Sequence, residues 1–248
     1  MMQIATQKFI VPDIQTLPAE ITIQGQDAKH IRKVLRLRPD DPLTITDGQG
    51  KDYAAQIMCV SKDSVRINVI SDIETGTESA LEITLCTGML KDKKMDFVIK
   101  HVTQLGIRRW IPFFCEHAVP LPDPKKIKAR QRRWETIAKE SLKQCRRSLL
   151  PEITDPVNFE NLLEVSDQYD RKIIFSENSA QPPETLKTLT PVKNIMVLIG
   201  PEGGFSRMEI QLAQAKGFIP CLMGPRILRA ETAAICACTL VQHILGDI

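Results

Sequence analysis

Two short turn segments near the carboxyl end contain the residues best suited to chemistry. The first runs from Leu198 to Gly204 and reads Leu-Ile-Gly-Pro-Glu-Gly-Gly; the second runs from Met223 to Thr232 and reads Met-Gly-Pro-Arg-Ile-Leu-Arg-Ala-Glu-Thr. Each follows an apolar run of strand length and precedes a helical pattern. Open α/β sheets bind their ligands where strands give way to helices. The sequence therefore predicts a small-molecule site built from both turns.

The first turn does not have the pattern of a phosphate-binding loop. No Gly-Lys-Ser/Thr follows it, and its glycines do not fit G-x-G-x-x-G. Glu202 lies within the turn and would repel a pyrophosphate. The pattern favours a ligand that is neutral or cationic at this point. The alternative is a tight turn that needs glycine for its backbone conformation alone.

The second turn places Arg226, Arg229 and Glu231 around the start of the last helix. An arginine held there could stabilise negative charge that develops on a bound base, and Glu231 could accept a proton. The alternative is that Arg229 and Glu231 form a local ion pair that caps the helix.

Composition excludes several other classes of protein. The seven cysteines are scattered without a C-x-x-C pair, and the four histidines show no H-x-x-x-H spacing. These patterns favour free thiols in a reducing cytoplasm and no metal site. The sequence shows neither a secretory leader pattern nor an apolar run of membrane-spanning length, so we expect no membrane association.

Positive charge is concentrated in the middle of the chain. Residues 81–150 carry 16 basic and 7 acidic side chains, whereas the whole chain has a net charge of +3. A second basic patch lies on the helical segment from residue 29 to residue 38. Such clusters are typical of a surface that binds a polyanion, with nucleic acid as the first candidate. The alternative is a solvated helix face.

The order of elements predicts an α/β protein with two domains. Residues 1–72 show short alternating runs separated by turn signals, which predict a small β-barrel interrupted by one helical patch in which His30, Val34 and Leu35 point inward. Residues 71–80 are polar and contain the boundary. From residue 81 onward strands and helices alternate, including a helix from Asp123-Pro124 to about Leu149 and a last helix over 230–245. This alternation predicts a parallel sheet with helical crossovers.

These segments resemble a known family. The pair IGPEGGFSRMEI and MGPRILRAETAA, preceded by DFVIKHVTQLGIRRWIPFF and RWETIAKESLKQCRRSLLP, is similar to the ribosomal small-subunit methyltransferase E family. Its members are SPOUT-class enzymes that use S-adenosyl-L-methionine to methylate N3 of a uridine in 16S ribosomal RNA. The resemblance extends to DAKHIRKVLRLRPDDPLTITDGQG in the first domain. The chain departs from the family pattern at Gln104, where glutamate is usual, at Asp40-Asp41, where Gly-Asp is frequent, and at Met223, where leucine is usual.

The resemblance implies a fold and a set of site residues. Residues 1–72 would form a PUA-like RNA-binding β-barrel, and residues 81–248 a SPOUT methyltransferase domain with a trefoil knot that forms a homodimer. Arg229 and Glu231 would act on the uracil. The cofactor-binding residues would be Leu198, Ile199, Gly200, Glu202, Gly203, Met223, Gly224, Ile227, Leu228, Arg229 and Thr232. The RNA-binding residues would be Lys29, Arg32, Lys33, Arg36, Arg38, Arg146 and Arg147.

Two other functions remain open from the sequence. One is an RNA-binding assembly factor of the small ribosomal subunit that keeps the fold but transfers no methyl group. The other is a SPOUT enzyme that acts on a different RNA or on a ribose 2′-hydroxyl. Intact turns at 200–204 and 229–232 favour the ribosomal RNA enzyme, with a role in ribosome biogenesis.

Overall fold

A computed structural model describes residues 8–12, 14–74, 76–118, 124–187 and 192–248. The chain divides into two compact units. The first comprises the residues up to Glu78 together with Leu142–Leu150, and the second comprises Ser79–Ser141 and Pro151–Ile248. The domain boundaries inferred from sequence stay a prediction. They differ from these units chiefly at Leu142–Leu150, which the sequence assigned to the second domain.

The first unit is a five-stranded sheet that curls around its own apolar core. Its strands are β1 (Lys8–Ile10), β2 (Ala19–Gln24), β3 (Pro42–Thr46), β4 (Asp52–Val60) and β5 (Ser64–Ile73). They lie in the order β1-β3-β4-β5-β2, with β1 and β3 parallel and the other pairs antiparallel. Val65, Ile67 and Val69 of β5 are fully buried while Arg66 between them is exposed. This alternation reflects the two-residue period of a strand with one buried face.

The basic patch of the first unit lies on a short helix. Helix α1 (Gly25–His30) continues into a π-helical turn over Ile31–Leu35, and Arg36 ends it in the left-handed conformation with φ of 55°. The prediction that Val34 points inward is wrong, because Val34 is 64% exposed. The π turn is wider than an α turn and rotates the side chains that follow. Ile31 is consequently the buried residue, with Leu35 partly buried against it.

Four of the five basic residues predicted on this patch are exposed, and the fifth is half-buried. The exposed residues are Lys29, Lys33, Arg36 and Arg38; the half-buried one is Arg32.

Residues 146–150 belong to the first unit through polar contacts. The helix predicted to reach Leu149 ends at Cys145, and Arg146 after it is exposed with φ of 63°. Arg147, which the sequence placed among the RNA-binding residues, does not lie on the surface. Its guanidinium is buried and donates to Glu78 Oε2 at 2.8 Å and 3.0 Å. Arg147 therefore holds the segment in place rather than facing solvent.

The second unit is built on a parallel sheet. Its strands are β6 (Glu82–Gly88), β7 (Arg109–Phe114), β8 (Glu152–Ile153), β9 (Val157–Asn158), β10 (Arg171–Phe175), β11 (Asn194–Ile199) and β12 (Ile219–Cys221). The order is β12-β10-β11-β6-β7-β8, with β9 paired to β7, and every pairing is parallel. The parallel sheet with its helices confirms the predicted α/β class.

Helices cover both faces of this sheet. They are α2 (Asp92–Gln104), α3 (Pro124–Cys145), α4 (Phe159–Glu164), α5 (Arg207–Ala215) and α6 (Ala230–Leu245). Successive residues of β11 pack into different cores: Ile195, Val197 and Ile199 join the core with α2, α3 and α6, whereas Met196 and Leu198 join the core with α4. The predicted bounds of α6 are confirmed. Asp123, predicted to cap α3, lies outside the described residues.

Three general properties follow from the described part of the chain. All seven cysteines are free thiols, and burial raises the pKa of Cys115 and of Cys238 to about 12. Among the described residues, no three or more His, Cys, Asp or Glu side chains are grouped to hold a metal ion. Within the same residues, no helix combines the length and apolar character needed to cross a membrane.

We expect Lys8→Met to destabilise the protein. Lys8 Nζ lies 2.6 Å from Asp52 Oδ2 and 2.9 Å from Ser148 Oγ, and both charged side chains are buried. Removal of the ammonium leaves the buried Asp52 carboxylate with its hydrogen bond from Ser148 Oγ but without the opposite charge of Lys8, and loss of one charge of a buried pair typically costs about 3–5 kcal/mol of unfolding free energy. Urea denaturation followed by circular dichroism measures the loss. Lys62→Met, at an exposed lysine of the same unit, is the control, and an equal effect of the two variants would contradict this account.

Candidate functional site

A cavity of about 390 Å³ lies at the carboxyl edge of the parallel sheet in the second unit. It is enclosed by the segments that follow β10, β11 and β12, with contributions from α2 and the start of α6. Its lining consists of Lys94, Phe175, Ser176, Glu177, Ile199, Gly200, Pro201, Glu202, Gly204, Phe205, Leu222, Met223, Gly224, Arg226, Ile227, Leu228, Arg229, Ala230 and Ala233. The two turns singled out in the sequence thus meet around one cavity, at the edge where such sheets bind ligands.

The first turn is a tight backbone reversal held at both ends. Gly204 N donates to Pro201 O at 3.0 Å, and Gly204 has φ of 69°, a conformation that favours glycine. Phe205 then anchors the chain by stacking on Phe113, with ring centroids 6.1 Å apart. Ser206 and Glu209 form a capping box, which starts α5. The turn is therefore fixed in position beside the cavity.

The second turn leads directly into α6. Arg229 is the N-cap residue of this helix with extended backbone, and its side chain makes no capping hydrogen bond. Ala233 N donates to Arg229 O at 2.8 Å. Arg229 is exposed and lines the cavity at the positive end of the helix. Ile227 is 88% exposed.

A lysine connects the two turns. Lys94 Nζ donates to Glu202 Oε1 at 3.0 Å and lies 3.5 Å from Glu231 Oε2. The hydrogen bond to Glu202 raises the pKa of Lys94 above its ordinary value, and the charge of Glu231 acts in the same direction. Lys94 therefore stays protonated at neutral pH. Among the described residues, Glu231 pairs with Lys94 and not with Arg229, so the predicted alternative of a local Arg229–Glu231 ion pair is not formed.

Comparison with known families decides what this fold is. An RNA methyltransferase domain matches residues 77–242, and an RNA methyltransferase PUA domain matches residues 23–70. The ribosomal RNA small subunit methyltransferase E of Buchnera aphidicola (subsp. Acyrthosiphon pisum) is 35% identical over 226 residues, covering 91% of this chain and 88% of that protein. This chain belongs to the methyltransferase E family. The resemblance inferred from its motifs is confirmed.

Two solved structures share the fold of this chain over nearly its whole length. A ribosomal RNA small subunit methyltransferase E from Neisseria gonorrhoeae bound to S-adenosyl methionine superposes with a TM-score of 0.88 at 27% identity, covering 98% of this chain and 99% of that one. A Legionella pneumophila protein in complex with the same cofactor gives a TM-score of 0.87 at 29% identity, covering 97% of this chain and 98% of that one. The predicted α/β fold class of these methyltransferases is therefore shown.

Most of the predicted cofactor-binding residues line the cavity described above. They are Ile199, Gly200, Glu202, Met223, Gly224, Ile227, Leu228 and Arg229. Met223, which stands where the family usually has leucine, also lines the cavity. Gln104, another departure, is exposed near the end of α2, and its side-chain amide donates to Lys100 O at 3.3 Å.

Three residues predicted to bind the cofactor lie outside the cavity lining. Leu198 precedes Ile199 in β11, so it points to the opposite face of the sheet, where it is buried. Gly203 is exposed and faces His117; a Cβ added to it would lie 2.7 Å from His117 Cβ. Thr232 is exposed in the first turn of α6.

Sequence reasoning missed the residues that other segments bring to the site. Phe175 ends β10, Ser176 and Glu177 follow it, and Lys94 lies in α2. Glu177 packs against the first turn, because a Cβ added to Gly204 would lie 3.0 Å from its Oε1. The carboxyl end of a parallel strand is a recognised site position and could have indicated residues 175–177. No local signal marks Lys94, because its contact with Glu202 spans 108 residues.

We expect Gly88→Ala to destabilise the sheet edge that carries the first turn. A Cβ on Gly88, the last residue of β6, would lie 2.6 Å from both Pro201 N and Pro201 Cδ. Because Pro201 N is backbone, the turn itself must shift, and overpacking of this kind costs about 1–3 kcal/mol. Urea denaturation measures the change. An unfolding free energy within about 0.5 kcal/mol of the original protein would show that the turn tolerates the shift.

Proposed function

We propose that this protein uses S-adenosyl-L-methionine to methylate N3 of a specific uridine in 16S ribosomal RNA. The observation that carries the proposal is the cavity in which both family motifs converge, with Arg229 among its lining residues. Methyltransferase E relatives of similar length and the structures bound to this cofactor support the transfer of a methyl group to ribosomal RNA. The N3 position is a finer proposal and rests on the family resemblance and on the chemistry below.

The cavity suits this cofactor in size and charge. Its volume of about 390 Å³ is within the range of about 300–1,000 Å³ that is usual for small-molecule sites. The cofactor carries no phosphate, in agreement with the absence of a phosphate-binding pattern in the first turn. Glu177 lines the cavity without an ion pair among the described residues and favours a ligand with positive charge. When bound, the cofactor supplies an electrophilic methyl group on a sulfonium.

Methylation at N3 requires stabilisation of a negatively charged base. Uracil N3 carries a proton, and its lone pair is delocalised, so that proton must leave before N3 can attack a methyl carbon. The resulting charge is shared between O2 and O4. Arg229 is an exposed cation at the positive end of α6, and we assign it to stabilise this charge.

The proton from N3 requires an acceptor close to Arg229. Glu231 is two residues further along α6, and its side chain is 14% exposed. Its Oε2 is shielded from solvent without a hydrogen bond among the described residues, 3.5 Å from the Lys94 ammonium. We assign Glu231, or a water that it orients, to accept the proton.

The RNA must present an unpaired base to this site. N3 lies on the Watson–Crick edge, so the target uridine is single-stranded or turned out of a helix. We propose that five exposed basic residues and the half-buried Arg32 hold the flanking phosphates; the exposed residues are Lys29, Lys33, Arg36, Arg38 and Arg146. Ribosomal RNA as substrate implies a cytoplasmic enzyme of ribosome biogenesis.

We further propose that the second unit forms a homodimer and a trefoil knot, as in the family. The dimer is supported by an apolar groove of about 340 Å³ that adjoins the cofactor cavity and lies along α6. It is lined by Met223, Gly224, Arg226, Leu228, Cys236, Thr239 and Leu240. Apolar surface of this kind is typical of protein–protein contacts.

Arg229→Ala should abolish most methylation while the protein keeps its fold. Loss of one preorganised charge-stabilising group typically lowers a rate about a hundred- to a thousandfold. The measurement is single-turnover methylation of isolated small subunits and of free 16S ribosomal RNA, with nucleoside mass spectrometry to identify the methylated base.

Arg207→Ala provides the control, because Arg207 is exposed at the start of α5 outside the cavity lining. Near-normal methylation by Arg229→Ala would remove Arg229 from the mechanism. A methyl group at another atom or on a ribose would contradict the N3 assignment. Absence of binding heat with S-adenosyl-L-methionine in calorimetry would instead support a non-catalytic assembly factor.

Leu240→Lys should convert the dimer to a monomer. A lysine in the apolar groove would bury its charge against the second copy, which is unfavourable without a partner. Sedimentation velocity measures the mass of each species. Leu212→Lys, at a leucine 40% exposed on α5, is the matched control and should leave the dimer intact. A monomeric original protein, or a Leu240→Lys dimer, would refute the proposed interface.

A further inference from the structure

We propose that Lys94 is a positioning residue that holds Glu202 and Glu231 in the geometry required for methyl transfer. This inference rests on the proposed function, because it concerns the same site. It begins from one juxtaposition: an ammonium from α2 lies between a carboxylate of the first turn and a carboxylate of α6, at 3.0 Å and 3.5 Å.

The position of Lys94 is electrostatically unusual. Lys94 is the third residue of α2, next to Lys93 and after the N-cap Lys91. Cations near the positive end of a helix are unfavourable, and most helices place acidic residues there. The two carboxylates offset this repulsion for Lys94. Lys93 is exposed and forms no ion pair among the described residues.

The backbone at Lys94 is anchored, which fixes the position of the Lys94 side chain. Lys94 N donates to Lys91 O at 2.8 Å, and Met95, the next residue, is fully buried in the core with α6. Leu90 is also buried. The ammonium is therefore carried on an anchored helix, and its two partners are drawn toward a fixed point.

A purely structural role does not account for this arrangement. The side chains of Lys94 and Glu202 are 30% and 37% exposed. Ion pairs with this degree of solvent contact contribute little to folding. Lys94 and Glu202 both line the cavity, and Lys94 also contacts Glu231 in the second turn. Removal of the Lys94 ammonium should therefore alter catalysis far more than stability.

The effect on catalysis follows from what Glu231 does. If Glu231 accepts the uracil proton or orients a water, its carboxylate must be held within hydrogen-bond reach of N3. Without Lys94, Glu231 loses its ion-pair partner, and the Glu202 side chain in the first turn loses the hydrogen bond that holds it toward α2. Lys94 acts through these two carboxylates and forms no bond to the transferred group.

The test compares Lys94→Met, Lys94→Arg and Lys93→Met in the full-length protein. For Lys94→Met we expect a single-turnover rate about tenfold or more below normal, an increase in the dissociation constant for S-adenosyl-L-methionine of about threefold or less, and a melting temperature within about 2 °C of the original. Lys94→Arg keeps the positive charge and should recover part of the rate. Lys93→Met should behave like the original protein in all three measurements.

The measurements separate this inference from the proposed function. An original protein that neither binds the cofactor in calorimetry nor methylates the RNA contradicts the proposed function itself. An active original protein with a fully active Lys94→Met variant contradicts the positioning role alone. A matched fall in rate and melting temperature for Lys94→Met, with no recovery in Lys94→Arg, would assign Lys94 to folding and would likewise overturn the inference.

Discussion

The parallel register of β10, β11 and β12 is the constraint on which the site depends. Because these strands run in one direction side by side, their carboxyl ends release three chain segments at a single edge. Two of those segments are the turns that carry the family motifs, and the third brings Glu177. The close approach of the end of β6 to the first turn then completes the cavity. Gly88 leaves room for Pro201, which would otherwise be displaced from the end of β6.

The charges at this edge are only partly compensated within the protein. One ammonium, that of Lys94, pairs with the two carboxylates of Glu202 and Glu231. Glu177, Arg226 and Arg229 line the same cavity without an ion pair among the described residues. A methyl donor with a cationic sulfur needs a negatively charged partner. A substrate that becomes an anion needs a positively charged one. The unpaired carboxylate and the unpaired guanidinium groups supply both within one cavity.

Local patterns were sufficient to predict most of the second unit. Alternation and apolar runs indicated its main strands, and the bounds of α6 were predicted correctly because its alanine-rich start follows a turn and its end reaches Gly246. The capping box at Ser206 was equally local. The same reasoning failed for short elements such as β8 and α4 (Glu152–Ile153 and Phe159–Glu164), where two to six residues carry too little periodicity.

Individual side chains were harder to assign because their environment depends on distant segments. Leu198 and Ile199 are neighbours in one motif, yet the two-residue period of β11 sends one to a closed core and the other to the cavity. Arg146 and Arg147 are likewise adjacent in a basic run. Glu78 pairs with the second and leaves the first exposed. A charge run thus divides into residues that hold the fold and residues that remain available to RNA, and the dividing contact is made by a carboxylate far away in sequence.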